Sequence, residues 1–274
     1  MVSSLNERSV KAVSWGITFL GFDILRLRRK VVLQNLRIAF KDQPIQKLEK
    51  IGRRSIYNFV LTFMELLRSK RHDISQDIEI HGEEHLKAAL EKNQGAYCLC
   101  FHMGNWEAMC SIMSRKITPS HVIVKKVGGD GTNKFVEELR THNNFNWIRR
   151  RKGKKGDGVR QIKSVLGKNE VVGFVIDQAR PGEPKLSFFG KPAKTNTSFA
   201  AIWQKAPAPI IPAFIRRKSL GKHEFQILPE ITMQETDDPK KDIIDNSLMF
   251  NSIVEKIVSQ YPEHYFWMHN RWKD

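Results

Sequence analysis

The stretch Cys100-Phe101-His102-Met103-Gly104-Asn105-Trp106-Glu107 holds an imidazole, an amide and a carboxylate within a few residues. His102 follows the apolar run Ala96–Phe101, which reads as a buried strand, and the C-terminal ends of such strands are where open α/β sheets place their sites. Gly104 permits a tight turn and Asn105 suits the N-cap of a following helix. Residues five apart in one helix diverge by about 140°. His102 and Glu107 therefore meet only if the histidine sits in the turn and the glutamate in the first helical turn. In that arrangement a carboxylate on Nδ1 fixes the imidazole tautomer and leaves Nε2 as a general base for a substrate hydroxyl. A helix-entry histidine followed by a glutamate that favours the helix dipole satisfies the same residues. Spacing alone leaves both readings open.

Other chemistry is less well supported. The three cysteines, Cys98, Cys100 and Cys110, are too few and too clustered for a disulfide framework. Cys98-x-Cys100-x-His102 suggests zinc, but no second ligand pair follows at finger or ribbon spacing, so no metal is expected and the thiols read as buried strand residues. The run from Arg149 to Gly158 carries six cations and one acid among glycines. It reads as a basic loop able to converge on an anion, or simply as a solvated surface loop. It lacks the order of a nucleotide-binding P-loop.

The elements that must position these groups alternate along the chain. Residues 31–71 read as helices, with Val60, Phe63, Met64 and Leu67 forming a helical stripe. Beyond Ile78, strands are expected at 96–101, 121–126, 171–176, 210–216 and 225–231, and helices at 106–114, 133–141, 158–166, 198–205 and 242–260. This alternation predicts an α/β fold: a central mixed, largely parallel sheet flanked by helices, preceded by an N-terminal helical segment. At 274 residues one large domain is expected, residues 31–274. Residues 1–30 form an apolar and basic segment. Ala12–Phe22 is uncharged and bears Trp15, Phe19 and Phe22, with Arg26, Arg28, Arg29 and Lys30 behind it. It is too short for a confident spanning helix; contact with a membrane interface is expected, and an ordinary N-terminal helix packed on the core is the alternative.

Composition sets the partner class. Forty-six Lys and Arg face 29 Asp and Glu, a net charge of +17, while hydrophobic residues make up 41% of the chain. That balance excludes a disordered tail protein and a polytopic membrane protein, and it predicts an anionic partner. No zinc finger, RNP-like aromatic motif or repeat supports nucleic acid as that partner.

Four stretches in a fixed order carry a family resemblance. FHMGNWE with its His-x4-Glu unit, Asp177-Gln178 after the strand VVGFVI, the segment Phe188-Phe189-Gly190-Lys-Pro192-Ala193-Lys-Thr195, and the ending Trp267-Met-His269-Asn-Arg271-Trp272 resemble the bacterial lipid A biosynthesis lauroyl/myristoyl acyltransferases, a branch of the glycerolipid acyltransferases. An Asn35-Leu36…Ala39-Phe40 element fits as well, so the resemblance runs from about residue 28 to the C-terminus. It implies a glycerol-3-phosphate-acyltransferase-like fold and transfer of a fatty acyl chain from an acyl thioester to a hydroxyl of a lipid A precursor. The donor would be acyl carrier protein, or else coenzyme A. His102 becomes the base and Glu107 its orienting partner, the two forming the catalytic dyad. Arg140 and Asp177 become substrate-binding residues, and Asn105 is counted with them. No cofactor is implied, since the thioester is a co-substrate. The implied location is the cytoplasmic face of the inner membrane, held peripherally or by one N-terminal anchor. Relatives on this scaffold acylate other lipids, so a lysophospholipid, aminolipid or glycolipid acceptor is the alternative, and a non-catalytic basic binding protein is the rival from outside the enzymes.

Overall fold

The computed structural model describes residues 4–124, 129–149, 156–178 and 182–273. A seven-stranded sheet forms the centre. Its strands are β1 (Asp77–His81), β2 (Ala96–Cys100), β3 (Ser120–Val124), β4 (Asn146–Arg149), β5 (Val171–Val175), β8 (Ile210–Ser219) and β9 (Lys222–Ile227). They lie in the order β1-β9-β8-β2-β5-β3-β4. Every pairing is parallel except the β8–β9 hairpin. The expected mixed, largely parallel sheet is therefore present. A separate antiparallel hairpin joins β6 (Lys185–Phe188) to β7 (Lys191–Lys194).

β2 is buried along its whole length, as a central parallel strand covered on both faces must be. Its side chains alternate. Tyr97 and Leu99, followed by Phe101, enter one core with α7 (Asp157–Leu166), α8 (Ser198–Trp203) and α9 (Pro239–Gln260). Ala96, Cys98 and Cys100 enter the other with α4 (Glu83–Leu90) and α5 (Trp106–Lys116). Two layers of helices thus sandwich the sheet, and α6 (Asp130–His142) lies between β3 and β4 in the chain.

The expected elements fall close to their sequence positions, with two differences. β9 runs from Lys222 and stops at Ile227, ahead of the proline at 229. β1, α4, β4 and the β6–β7 hairpin carry too little apolar pattern to be expected from sequence. Residues 125–126 of the expected third strand, and residues 150–155 of the basic run, lie outside the described residues.

The N-terminal segment belongs to the same folded body. α1 (Glu7–Thr18) passes into a π-helical stretch, Phe19–Ile24, and packs on α3 (Ile45–Arg68) through Val10, Leu61, Met64 and Leu220. Phe22 reaches the main core beside Val32 and Leu36 of α2 (Arg29–Ala39). The opposite face is bare: Val13, Trp15, Ile17, Phe19, Leu20, Ile24, Leu25 and Leu27 are all exposed. Among the described residues no helix is long and apolar enough to cross a membrane.

Candidate active site

The parallel register of β2 and β5 pairs Cys100 with Val175, and two residues beyond each strand end stand His102 and Asp177. The offset brings their side chains together. His102 Nδ1 lies 2.7 Å from Asp177 Oδ1, while the backbone N–H of His102 donates to Oδ2 at 3.1 Å. Both carboxylate oxygens are thus engaged by one residue, which fixes the imidazole plane. Asp177 is 2% exposed, and burial alone would raise its pKa, but His102 and, more weakly, Arg271 hold it below the ordinary aspartate value. Burial would lower the His102 pKa; Asp177, with a further contribution from Glu107, raises it above the usual histidine value instead. An ionised aspartate on Nδ1 keeps the ring proton there and presents the Nε2 lone pair outward.

The turn after His102 demands glycine. Gly104 has φ +57°, and a Cβ there would lie 2.0 Å from the Ile215 carbonyl oxygen. Its N–H donates to the carbonyl of His264, and the Phe266 N–H donates to that of His102. The C-terminal strap thereby clips over the histidine turn. Asn105 then caps α5, its Oδ1 accepting from the Ala108 N–H at 3.2 Å.

Glu107, in the first turn of α5, takes a different partner from the one expected. Arg140 on α6 donates from Nε and a terminal nitrogen to its two oxygens, at 3.0 and 2.8 Å, in a bidentate pair that is nine-tenths buried. The expected contact of Glu107 with Nδ1 is therefore replaced by Asp177, and Glu107 reaches His102 only through its field. Asn105 also departs from its expected role. It is 1% exposed, and its amide donates to Glu65 at 2.6 Å, so both ends of its side chain are engaged inside the protein. It shapes the turn from within.

A cavity of about 730 Å³ opens at the C-terminal ends of β2, β5 and β3, within the range of small-molecule sites. His102, Glu107, Arg140, Gln178, Asn196 and Ser198 are among its polar lining residues; the walls are largely apolar, including Phe59, Trp106, Ile123, Ile148, Ile162 and Phe174. Trp106 and Phe266 flank the imidazole, with ring centroids 5.3 and 5.8 Å away.

The model of the bacterial lipid A biosynthesis acyltransferases matches residues 2–274. The chain belongs to this family. Among its relatives is a lipid A biosynthesis lauroyltransferase of Escherichia coli K12, 24% identical over 273 residues, covering 94% of this chain and 83% of that one. A lipid A biosynthesis palmitoleoyltransferase of the same organism is 22% identical over 262 residues, covering 91% and 80%. A lipid A biosynthesis acyltransferase of Shigella flexneri matches to the same extent. The protein is thus an acyltransferase of the lipid A biosynthesis type.

Within this acyltransferase the other family-like stretches form a clasp whose Arg271 also acts on Asp177. Asn35 donates to the carbonyls of Trp267 and His269, both at 2.8 Å. Buried Arg271 bonds Asn251 and the Lys194 carbonyl, and its guanidinium sits 3.9 Å over the Phe188 ring. Phe189 and Gly190, with φ +50° and +68°, make the two-residue turn of the β6–β7 hairpin that presents Phe188. The cysteine thiols bond inward: Cys100 donates to the Phe174 carbonyl and Cys110 to that of Ser120. Sequence reading missed Glu65, Arg217 and His223, a buried polar cluster built on the Glu65–Arg217 ion pair behind Asn105. The apolar stripe read from sequence, Val60, Phe63, Met64 and Leu67, lies on another face of the helix from Glu65, so periodicity gives no signal for it.

Proposed function

We propose that the enzyme transfers a fatty acyl chain from an acyl thioester, carried by acyl carrier protein, to a hydroxyl of a lipid A precursor. The observation that carries this reading is an imidazole, tautomerically fixed by Asp177, on the wall of an apolar cavity of about 730 Å³. The apolar walls suit an acyl chain. The hydroxyl binds at His102 Nε2, which takes its proton as the oxygen attacks the thioester carbonyl. The tetrahedral intermediate then collapses: the C–S bond breaks, and the departing sulfur receives the proton from Nε2. Asp177 stabilises the imidazolium between these two transfers. Glu107 and Arg140 act together, Glu107 through its field on the imidazole and Arg140 as the cation beside the cavity for an acceptor phosphate. No cofactor or metal enters this scheme.

The net charge of +17 supports an acidic carrier and an anionic lipid as partners, since opposite charge steers encounter. The exposed apolar face of α1 and the π-helical stretch, followed by Arg26 and Arg28, supports peripheral seating on the cytoplasmic face of the inner membrane.

The test is mass spectrometry of lipids after the pure protein, or its His102→Ala variant, is incubated with mixed acyl-carrier thioesters and a membrane lipid extract. A new acylated lipid A precursor formed only by the unmutated protein is expected. Acylation of a phospholipid or aminolipid instead would replace the acceptor, and turnover by His102→Ala would remove His102 as the base.

A further inference from the structure

An acyl-transfer site needs a hydrogen-bond donor where the thioester oxygen becomes an oxyanion. Around His102 three backbone donors are already committed. The N–H of His102 donates to Asp177, that of Gly104 to the His264 carbonyl, and that of Ala108 to Asn105. The Nε and one terminal nitrogen of Arg140 are held by Glu107. Among the described residues, one uncharged side-chain donor stands against the reactive nitrogen. Gln178 lines the cavity, and its amide nitrogen lies 3.4 Å from His102 Nε2.

The chemistry of the pair fixes which end of the amide faces the histidine. With the ring proton on Nδ1 toward Asp177, Nε2 is an acceptor, so Gln178 must present its NH2 group rather than its oxygen. Consecutive residues at the end of β5 therefore serve the two ring nitrogens: Asp177 holds Nδ1 and Gln178 covers Nε2. A bond of 3.4 Å is long and easily given up. An incoming hydroxyl that takes its place at Nε2 leaves the amide N–H free, close to where the carbonyl under attack must lie.

We infer that Gln178 is the oxyanion donor of this enzyme, its side-chain N–H binding the thioester carbonyl oxygen as the carbon–oxygen double bond becomes a single bond. This rests on the acyl-transfer reading above. As the acceptor oxygen bonds to the carbonyl carbon, the π pair moves onto the carbonyl oxygen and the hydroxyl proton moves to Nε2. When the double bond re-forms, the thiol leaves with that proton and Gln178 returns to the imidazole. The interaction strengthens only as charge develops, so its loss falls on kcat.

The experiment compares the full-length protein with Gln178→Ala and Gln178→Glu, using dodecanoyl acyl carrier protein and a purified lipid A precursor. Glutamate keeps the shape of glutamine and, ionised, offers no donor. Both variants should lose about 10²–10³-fold in kcat, the scale for removing one oxyanion donor, with the KM for the thioester within about threefold and an unchanged melting midpoint. Retention of kcat within about threefold by either variant, or a loss confined to KM, would overturn the assignment. Absence of transfer by the unmutated protein with any thioester would overturn the acyl-transfer reading and this inference with it. Transfer by the unmutated protein with unaffected variants would sink the inference alone.

Discussion

Replacing Glu65 by glutamine tests whether the frame behind the active site is held by buried charge. Glu65 is 5% exposed, and its two oxygens accept from five donors. Arg217 Nε and the Gly221 N–H reach Oε1; the Asn105 amide, a second Arg217 nitrogen and His223 Nε2 reach Oε2. Burial would raise the Glu65 pKa, but Arg217 and His223 hold it far below 4.5. A glutamine amide would turn its NH2 group toward at least two of these donors, whichever way it faces, and leave Arg217 without its counter-ion. Breaking a buried pair from one side costs about 3–5 kcal/mol. At roughly 2–4 °C per kcal/mol for a chain near this size, the melting midpoint should fall by on the order of 10 °C. Replacing Glu65 and Arg217 together by leucine should recover part of that loss, because neither charge is then stranded. Turnover should not follow stability. Asn105 loses its acceptor in the double variant, and in Glu65→Gln it keeps one only when the glutamine oxygen takes the Oε2 position; a displacement of the histidine turn by an ångström costs up to ~100-fold. Differential scanning fluorimetry beside steady-state kinetics makes the comparison. A Glu65→Gln midpoint within about 2 °C of the unmutated protein would refute the premise that this charge is buried and essential. A double variant that regained full kcat would refute the link to the site.

Other consequences can be measured in the same way. Asp177→Asn should lower kcat by roughly 10⁴-fold, the scale for a histidine whose partner carboxylate becomes an amide, and should move the rising limb of the rate–pH profile to lower pH, because Asp177 is what lifts the His102 pKa; an unmoved limb would reassign it. The same pair links stability to pH in both directions. The contribution of His102, whose folded pKa is raised, is full below about 6.5 and fades as pH rises through the folded value. That of Asp177, whose folded pKa is lowered, is present above about 3.8 and lost on acidification through its folded value, so Asp177→Asn should flatten the acid limb of the unfolding curve. Gly104→Ala must adopt φ +57° and meet the Ile215 carbonyl, so it should lose more than ~1 kcal/mol of stability, read by urea denaturation, together with most of its turnover. Changing Trp15, Leu20 and Ile24 together to serine should leave the melting midpoint within a few degrees, since all three are exposed, yet release the protein from anionic phospholipid vesicles in flotation; co-flotation of the variant would place the contact elsewhere.

Which of these features sequence alone could reveal follows from where their energy comes from. β2 is legible because five buried residues in succession, ended by a histidine and a glycine, fit a central parallel strand far better than a short helix or a loop. The bond from His102 to Asp177 is not legible in the same way. Asp177 lies 75 residues on, and it reaches the imidazole through the parallel register of β2 and β5, which neither strand's own pattern specifies. Proximity in sequence favours Glu107, and proximity misleads here, because α6 brings Arg140 to that carboxylate first. The same limit hides the Glu65 cluster: Glu65 sits in an amphipathic helix and Arg217 in a basic strand end, where charge normally means solvent. A buried charge is stable only beside its partner, and the partner is chosen by the fold rather than by the neighbouring residues. The groups that hold this site together, Asp177 on Nδ1, Arg140 on Glu107 and Arg217 on Glu65, are all pairings of that kind. For that reason the nucleus of the site could be read from a few consecutive residues, while the frame that aims it could not.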